Sequence, residues 1–152
     1  IDPSPYKELT KCRIIYNKEI VSIEYIPYQV RPVSSLKLVK DNTIEYSWKT
    51  TNRETINRLF ASRQKYDDIL IVKNDLITDT SICNVAFSDG NRWETPENPL
   101  LKGTQREYLL RQGTIQETRI SIDDISKYKH ISLFNAMIDF GEIILPITSI
   151  NI

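Results

Sequence analysis

The chain of 152 residues has little of what most catalytic and metal chemistries need: one histidine, two cysteines and four glycines. A single histidine excludes a histidine-based triad or a multi-histidine metal site within this chain, and His130 reads as a surface or strand-edge residue. Cys12 and Cys83 match neither a metal spacing nor a disulfide framework, which suits a reducing, cytoplasmic setting. So few glycines leave little room for a Walker-type loop or a dinucleotide fingerprint, and neither pattern occurs. Net charge is missing too. Twenty basic side chains balance 20 acidic ones, which removes the electrostatic case for nucleic acid or an anionic membrane as partner. No apolar run is long enough to cross a bilayer, and no signal peptide is evident. The hydrophobic share of 40% is that of an ordinary globular chain of about one domain. The opening "IDPSPYKELT" has no methionine, so the expectation is a fragment or a chain whose N-terminal part is not given.

What is present reads mostly as strand. "CRIIY" and "IVSIEYIPY" predict two strands joined at Asn17-Lys18. Two strands are too few for a domain of their own, so residues 1–30 read as the trailing part of an N-terminal α/β domain. In "QVRPVSS" Pro32 favours extended chain, which makes 31–35 the linker and 36–152 the C-terminal domain. "LKLVKDNTIEYSW" predicts strand-like alternation around a turn at Asp41-Asn42. Thr51 with Glu54 is a capping-box pattern, and Ile56, Leu59 and Phe60 follow at helical spacing. "DILIVK" and "LITD" predict strands around Asn74-Asp75, and "NVAFSDGNRWETP" a hairpin with Asp89-Gly90 at its tip. Gln105 to Leu110 predicts a second helix ending at Gly113. Ser121 with Asp124 predicts a short third helix through Tyr128, and "ISLFNA" and "EIILPITSI" close the chain as strands. The sum is α+β: strand-dominated, with two or three helices.

Four stretches could carry chemistry. In "SWKTTNR", Lys49 stands before a helix start beside Trp48, where a lowered pKa would make its amine nucleophilic; a solvated loop lysine is the plainer alternative. In "ITDTSICN", Asp79 stands among Thr80, Ser81 and Asn84. A carboxylate so surrounded can hold a cationic ring nitrogen, or cap its own backbone in an Asx-turn. "NPLLKGTQREYLL" begins a helix through Gly103 and Thr104, which leaves backbone N–H groups bare for an anion, or merely eases a loop into a helix. In "LFNAMIDFGE", Asn135 could donate N–H groups to a ligand, or simply end its strand.

In this order and spacing, from Ser47 to Thr148 or about two-thirds of the chain, the four stretches resemble the C-terminal half of the class-IV aminotransferases. These fold-type-IV pyridoxal-phosphate enzymes include the branched-chain and D-amino acid aminotransferases and 4-amino-4-deoxychorismate lyase; "KTTNR" is most similar to the lyase form of the lysine motif. The resemblance implies a D-amino acid aminotransferase-like fold with a strand-rich C-terminal pseudobarrel, and pyridoxal 5'-phosphate as cofactor. It implies that Lys49 forms the internal aldimine and later shuttles the proton between Cα and C4′. It implies that Asp79, where the family usually has the longer Glu, pairs with the pyridine nitrogen, and that Leu101 packs on the ring face. Gly103, Thr104 and Gln105 would form the phosphate cup, with Thr one place earlier than in the family's Ile-Thr. Asn135 and Ala136 would be the second phosphate-contacting strand end, although the spacing to Pro146 is longer than usual. The family's His-x-x-Arg-Leu helix is not in this sequence. A homodimer and a small amino acid-like substrate are also implied. The expected activity is that of the lyase, giving 4-aminobenzoate and pyruvate for folate biosynthesis. The alternatives are a branched-chain or D-amino acid aminotransferase, and a non-catalytic dimerisation or binding module on the same scaffold, which the Asp79 and Gln105 departures and the missing arginine of the His-x-x-Arg-Leu helix motivate.

Overall fold

The computed structural model describes residues 5–151, and the chain divides into two units between Arg31 and Pro32. The first is an antiparallel ribbon of β1 (Thr10–Tyr16) and β2 (Ile20–Pro27), with Ile14 opposite Ile23. Its turn is closed by Asn17, whose Oδ1 accepts the Glu19 N–H at 3.0 Å.

The second unit begins with β3 (Leu36–Lys40), α1 (Glu54–Ala61) and β4 (Asp68–Lys73). β3 and β4 are parallel neighbours, Leu36 opposite Asp68, so the helix lies on the crossover that parallel strands require. From Asp68 to Val72 β4 is buried throughout, as a central strand covered on both faces should be. β5 (Leu76–Thr80) returns antiparallel through Asn74 and Asp75, both with positive φ (52° and 61°), the geometry of a tight hairpin turn. β11 (Ile150–Asn151) completes a sheet of order β11-β3-β4-β5. Against it α1 buries Ile56 and Leu59, in a cluster with Val39, Ile44, Tyr46, Ile69, Ile71 and Leu100.

The second sheet contains β6 (Asn84–Ser88), β7 (Trp93–Pro96), β8 (Gln116–Thr118), β9 (His130–Asn135) and β10 (Ile138–Pro146), in the order β10-β9-β6-β7-β8. α2 (Thr104–Arg111) covers it by packing Leu109 with Ala86, Ile115 and Phe134. Trp93 and Phe134 each meet Phe140 edge-on at 5.3 Å between centroids, a favourable arrangement of ring quadrupoles. α2 stops at Gly113 (φ 68°). There the Thr114 N–H reaches the Leu109 carbonyl and the Gly113 N–H the Leu110 carbonyl, both at 3.0 Å, a Schellman ending.

Three expectations need correction. Residues 43–48 form no strand: Ile44 and Tyr46 alternate like one, yet they plug the α1 core from a loop. The Thr51–Glu54 box does not form. Arg53 is the N-cap, and Asn52 Oδ1 takes the Glu54 N–H at 3.1 Å instead. The third helix is only a 3-10 turn, Ile125–Lys127. Asp124 Oδ2 accepts from the Ser121 N–H (2.9 Å) and hydroxyl (2.6 Å), so the acid serves the loop rather than a helix start. Among the described residues no helix is long and apolar enough to cross a membrane.

Candidate functional site

The chain passes from the first sheet to the second through a corner between Thr80, the last residue of β5, and Asn84, the first of β6. The corner closes on itself: the Thr80 N–H donates to the Cys83 carbonyl (2.9 Å) and the Cys83 N–H to Thr80 Oγ1 (3.0 Å). Asp79 and Asn84 stand at its two ends. The Asn84 amide donates to Asp79 Oδ1 and to the Leu101 carbonyl, both at 2.8 Å, while the Leu101 N–H donates to Asp79 Oδ2 at 2.9 Å. Asp79 therefore binds chain 22 residues further on, and the Asx-turn reading is set aside. Burial pushes its carboxyl up from 3.8 to about 6, against the lowering effect of the Leu101 N–H, the Asn84 amide, the Leu100 N–H and the Arg106 cation. With the Leu100 N–H as a third donor, one of the carboxylate's four lone pairs is left to accept a hydrogen bond from a ligand.

Gly103 sits directly against Asn84. A Cβ placed there would lie 2.2 Å from Asn84 Oδ1, so glycine is needed for close approach. Its own backbone is ordinary, with φ −70° and ψ 149° at the N-cap of α2. No side chain caps this helix, and the first-turn N–H groups of Thr104, Gln105 and Arg106 have no intrahelical acceptor. Thr104 is exposed and Gln105 half-buried. Gly103 and Thr104 also line an open cavity of ≈ 390 Å³ with Lys102, Glu107, Tyr108 and Arg111, along the outer face of α2 rather than over Asp79.

Asn135 ends β9 beside the corner, because β9 pairs with β6 and sets Asn84 opposite Phe134. Its amide donates to the Ile82 carbonyl (3.1 Å) and Cys83 Sγ (3.4 Å), and its Oδ1 accepts the Met137 N–H (2.7 Å). Its side chain is thus engaged within the fold. Ala136 is exposed in the turn that follows. Lys49 is exposed as well. Trp48 is 79% exposed and gives Lys49 no apolar wall. The Lys49 loop nevertheless reaches the corner through Arg53, whose Nη2 donates to the Ser81 carbonyl at 2.6 Å.

Asp79, Leu101, Gly103, Asn135 and the Lys49 loop thus all connect to residues 79–84. Two connectors lie outside the sequence-based site, Asn84 and Arg53; their only local signals are the Asp-x4-Asn spacing and the arginine of "KTTNR". Arg106, in the first turn of α2, is a third. It is 2% exposed, donates through Nη2 to the Pro96 carbonyl (2.8 Å) and Glu117 Oε1 (2.7 Å), and its Nε has no partner among the described residues.

A family model described as "Amino-transferase class IV" matches residues 14–150. An uncharacterized protein of Haemophilus influenzae is 46% identical over 136 residues, covering 89% of this chain and 72% of that protein. The crystal structure of a provisionally named 4-amino-4-deoxychorismate lyase from Haemophilus somnus 129pt superposes with a TM-score of 0.80 at 39% identity, over 84% of this chain and 66% of that one. A hypothetical aminotransferase from Mycobacterium tuberculosis, solved in a PLP-bound form, shares the fold at 16% identity, with a TM-score of 0.66 over 85% of this chain and 54% of its own length. The chain therefore spans between about half and three-quarters of the length of these relatives.

Proposed function

The chain belongs to the amino-transferase class IV family, and on that premise we propose that it works with pyridoxal 5'-phosphate on an amino acid-like substrate. The reaction we favour is the lyase one, release of 4-aminobenzoate and pyruvate from 4-amino-4-deoxychorismate. One observation carries the cofactor reading: a buried acid, bare helix-start N–H groups and the loop of one lysine all tie into the corner at residues 79–84.

The donor set suits the cofactor. A cationic ring nitrogen would find in Asp79 a buried carboxyl with a free lone pair and a pKa of about 6, and the pair would offset the cost of burying the charge. A phosphate suits the N–H groups of Thr104 and Gln105 at the positive end of α2. Leu101, half-buried on the α1 core, offers an apolar surface beside Asp79 that would exclude water from a planar ring. Lys49 would supply the amine that holds the cofactor's aldehyde, and the same amine could move a proton at the substrate carbon. When bound, the cofactor withdraws electrons from that carbon; the protein's part is binding, orientation and proton handling.

The lyase reading leans on "KTTNR" and on the relative at 39% identity; the family description favours amino-group transfer to a 2-oxo acid as the second reading. Either would call for a homodimer around a small-molecule site. The test is to supply the protein with pyridoxal phosphate and measure pyruvate release from aminodeoxychorismate beside glutamate formation from a panel of amino acids and 2-oxoglutarate. Pyruvate release that Lys49→Ala abolishes supports the lyase. Glutamate alone moves the assignment to transfer, and neither product, with no visible band from the cofactor, rejects both.

A further inference from the structure

Resting on the reading of Lys49 as the cofactor-binding amine, we propose that Arg53 is a positioning residue that holds the Lys49 turn against the 79–84 corner. Lys49 is the central residue of a three-residue turn closed by the Thr50 N–H on the Trp48 carbonyl at 2.9 Å. A second local bond, from the Thr50 hydroxyl to the Asn52 carbonyl at 3.0 Å, stays within the same exposed stretch, so local bonds alone do not fix the turn's direction. The rest of the restraint comes from Tyr46 and Arg53, which flank it. Tyr46 is 9% exposed and packs in the α1 core; its hydroxyl donates to the Thr50 carbonyl at 3.3 Å. Arg53 Nη1 donates to the same hydroxyl at 3.1 Å, and its guanidinium carbon lies 5.3 Å from the Tyr46 ring centroid. Nη2 donates to the Ser81 carbonyl at 2.6 Å.

One planar guanidinium therefore joins the two ends of the Lys49 loop to the chain two residues beyond Asp79. The hydroxyl relays the restraint to Thr50, the residue after the lysine. Arg53 makes no capping bond to α1 with its side chain, so helix formation does not account for where the fork points. A lysine at 53 could not substitute, because a point charge offers no rigid pair of diverging N–H donors. Arg53 acts through Lys49 and touches no reacting group itself. Without the clamp, the amine keeps its identity but the turn that carries it is no longer held to the 79–84 corner, and positioning of that kind is worth orders of magnitude in rate.

The experiment compares the full chain with Arg53→Met, Arg53→Lys and Tyr46→Phe by two readouts. One is the rate at which pyridoxal phosphate becomes trapped on Lys49 by borohydride, followed by peptide mass. The other is backbone hydrogen exchange over residues 47–51 in cofactor-free protein, with 69–72 as the internal reference. Arg53→Met is expected to slow trapping about tenfold or more and to speed exchange over 47–51 by a similar factor, while 69–72 keeps its protection. Arg53→Lys should not recover the rate. Tyr46→Phe, which keeps the ring and drops only the hydroxyl, should fall between, and it carries the test if Arg53→Met does not fold. Wild-type exchange and trapping in Arg53→Met or in Tyr46→Phe, or full rescue by lysine, overturns the clamp. Unlabelled Lys49 in the wild-type protein overturns the cofactor reading instead, and the exchange readout still decides the clamp.

Discussion

Replacing Gly103 with alanine drives a methyl group into the hub of the site. The added Cβ would lie 2.2 Å from Asn84 Oδ1, where ordinary contact begins at 3.4 Å, so the two must separate by about 1.2 Å. The Asn84 amide is held by two hydrogen bonds of 2.8 Å, to Asp79 and to the Leu101 carbonyl. A shift of that size takes both beyond useful length. Losing each is worth roughly 1 kcal/mol, and withdrawing a donor from buried Asp79 adds about 1–2 kcal/mol. The backbone at Gly103 suits alanine (φ −70°), so no left-handed strain is mixed in. The expected loss is about 3–5 kcal/mol, up to about 1 kcal/mol of it from alanine's poorer N-capping. Urea unfolding should show a lowered midpoint at unchanged slope. In an Asn84→Ala background most of the added cost should vanish, because the clash has been removed; that coupling is the measurement. A loss below about 0.5 kcal/mol, or an equal loss in both backgrounds, would refute the packing argument.

Asp79→Asn tests the buried acid. Its folded pKa is raised from 3.8 to about 6, so the proton prefers the folded state. The linked stability is full below pH 3.8 and lost as pH rises through 6, about 3 kcal/mol in all. The cofactor-free wild type should lose that stability between about pH 4 and pH 7, and the variant should not; parallel profiles would contradict the burial argument. Glu117→Gln leaves the Arg106 cation buried without its carboxylate partner and should cost about 1–3 kcal/mol in thermal unfolding; no change would mean the pair is solvated. Cys83, buried and pushed up to about 12 by that burial, should resist iodoacetamide in the native protein while exposed Cys12 is alkylated. Equal labelling by mass would show the 79–84 corner to be open. Asn135→Ala removes two donors to Ile82 and Cys83 and should speed Cys83 alkylation severalfold.

The sequence was most legible where local chemistry dictates the backbone. Asn74-Asp75 and Asp89-Gly90 mark turns that need positive φ, found at 52°, 61° and 105°, and Gly113 marks the end of α2 for the same reason. Ile44 and Tyr46 misled because period-two burial occurs in a core-plugging loop as well as in a strand. β8 offered no apolar signal, its Gln116 and Glu117 being exposed. The site shows the same division. Asp79, Leu101 and Gly103 carry short-range patterns, whereas Asn84 and Arg53 make their decisive bonds across 17 and 28 residues. Such bonds belong to the tertiary arrangement; of the contacts these two residues make at the site, the Asn84–Asp79 one, five residues apart, is the one with a spacing to read.

The most direct measurement of the central claim is borohydride reduction of the protein after equilibration with pyridoxal phosphate, followed by peptide mapping. A single pyridoxyl group on Lys49, absent from Lys49→Ala and suppressed by competing inorganic phosphate, is the predicted result. Label spread over exposed lysines, or a Lys49→Ala protein labelled as fully as the wild type, would contradict it.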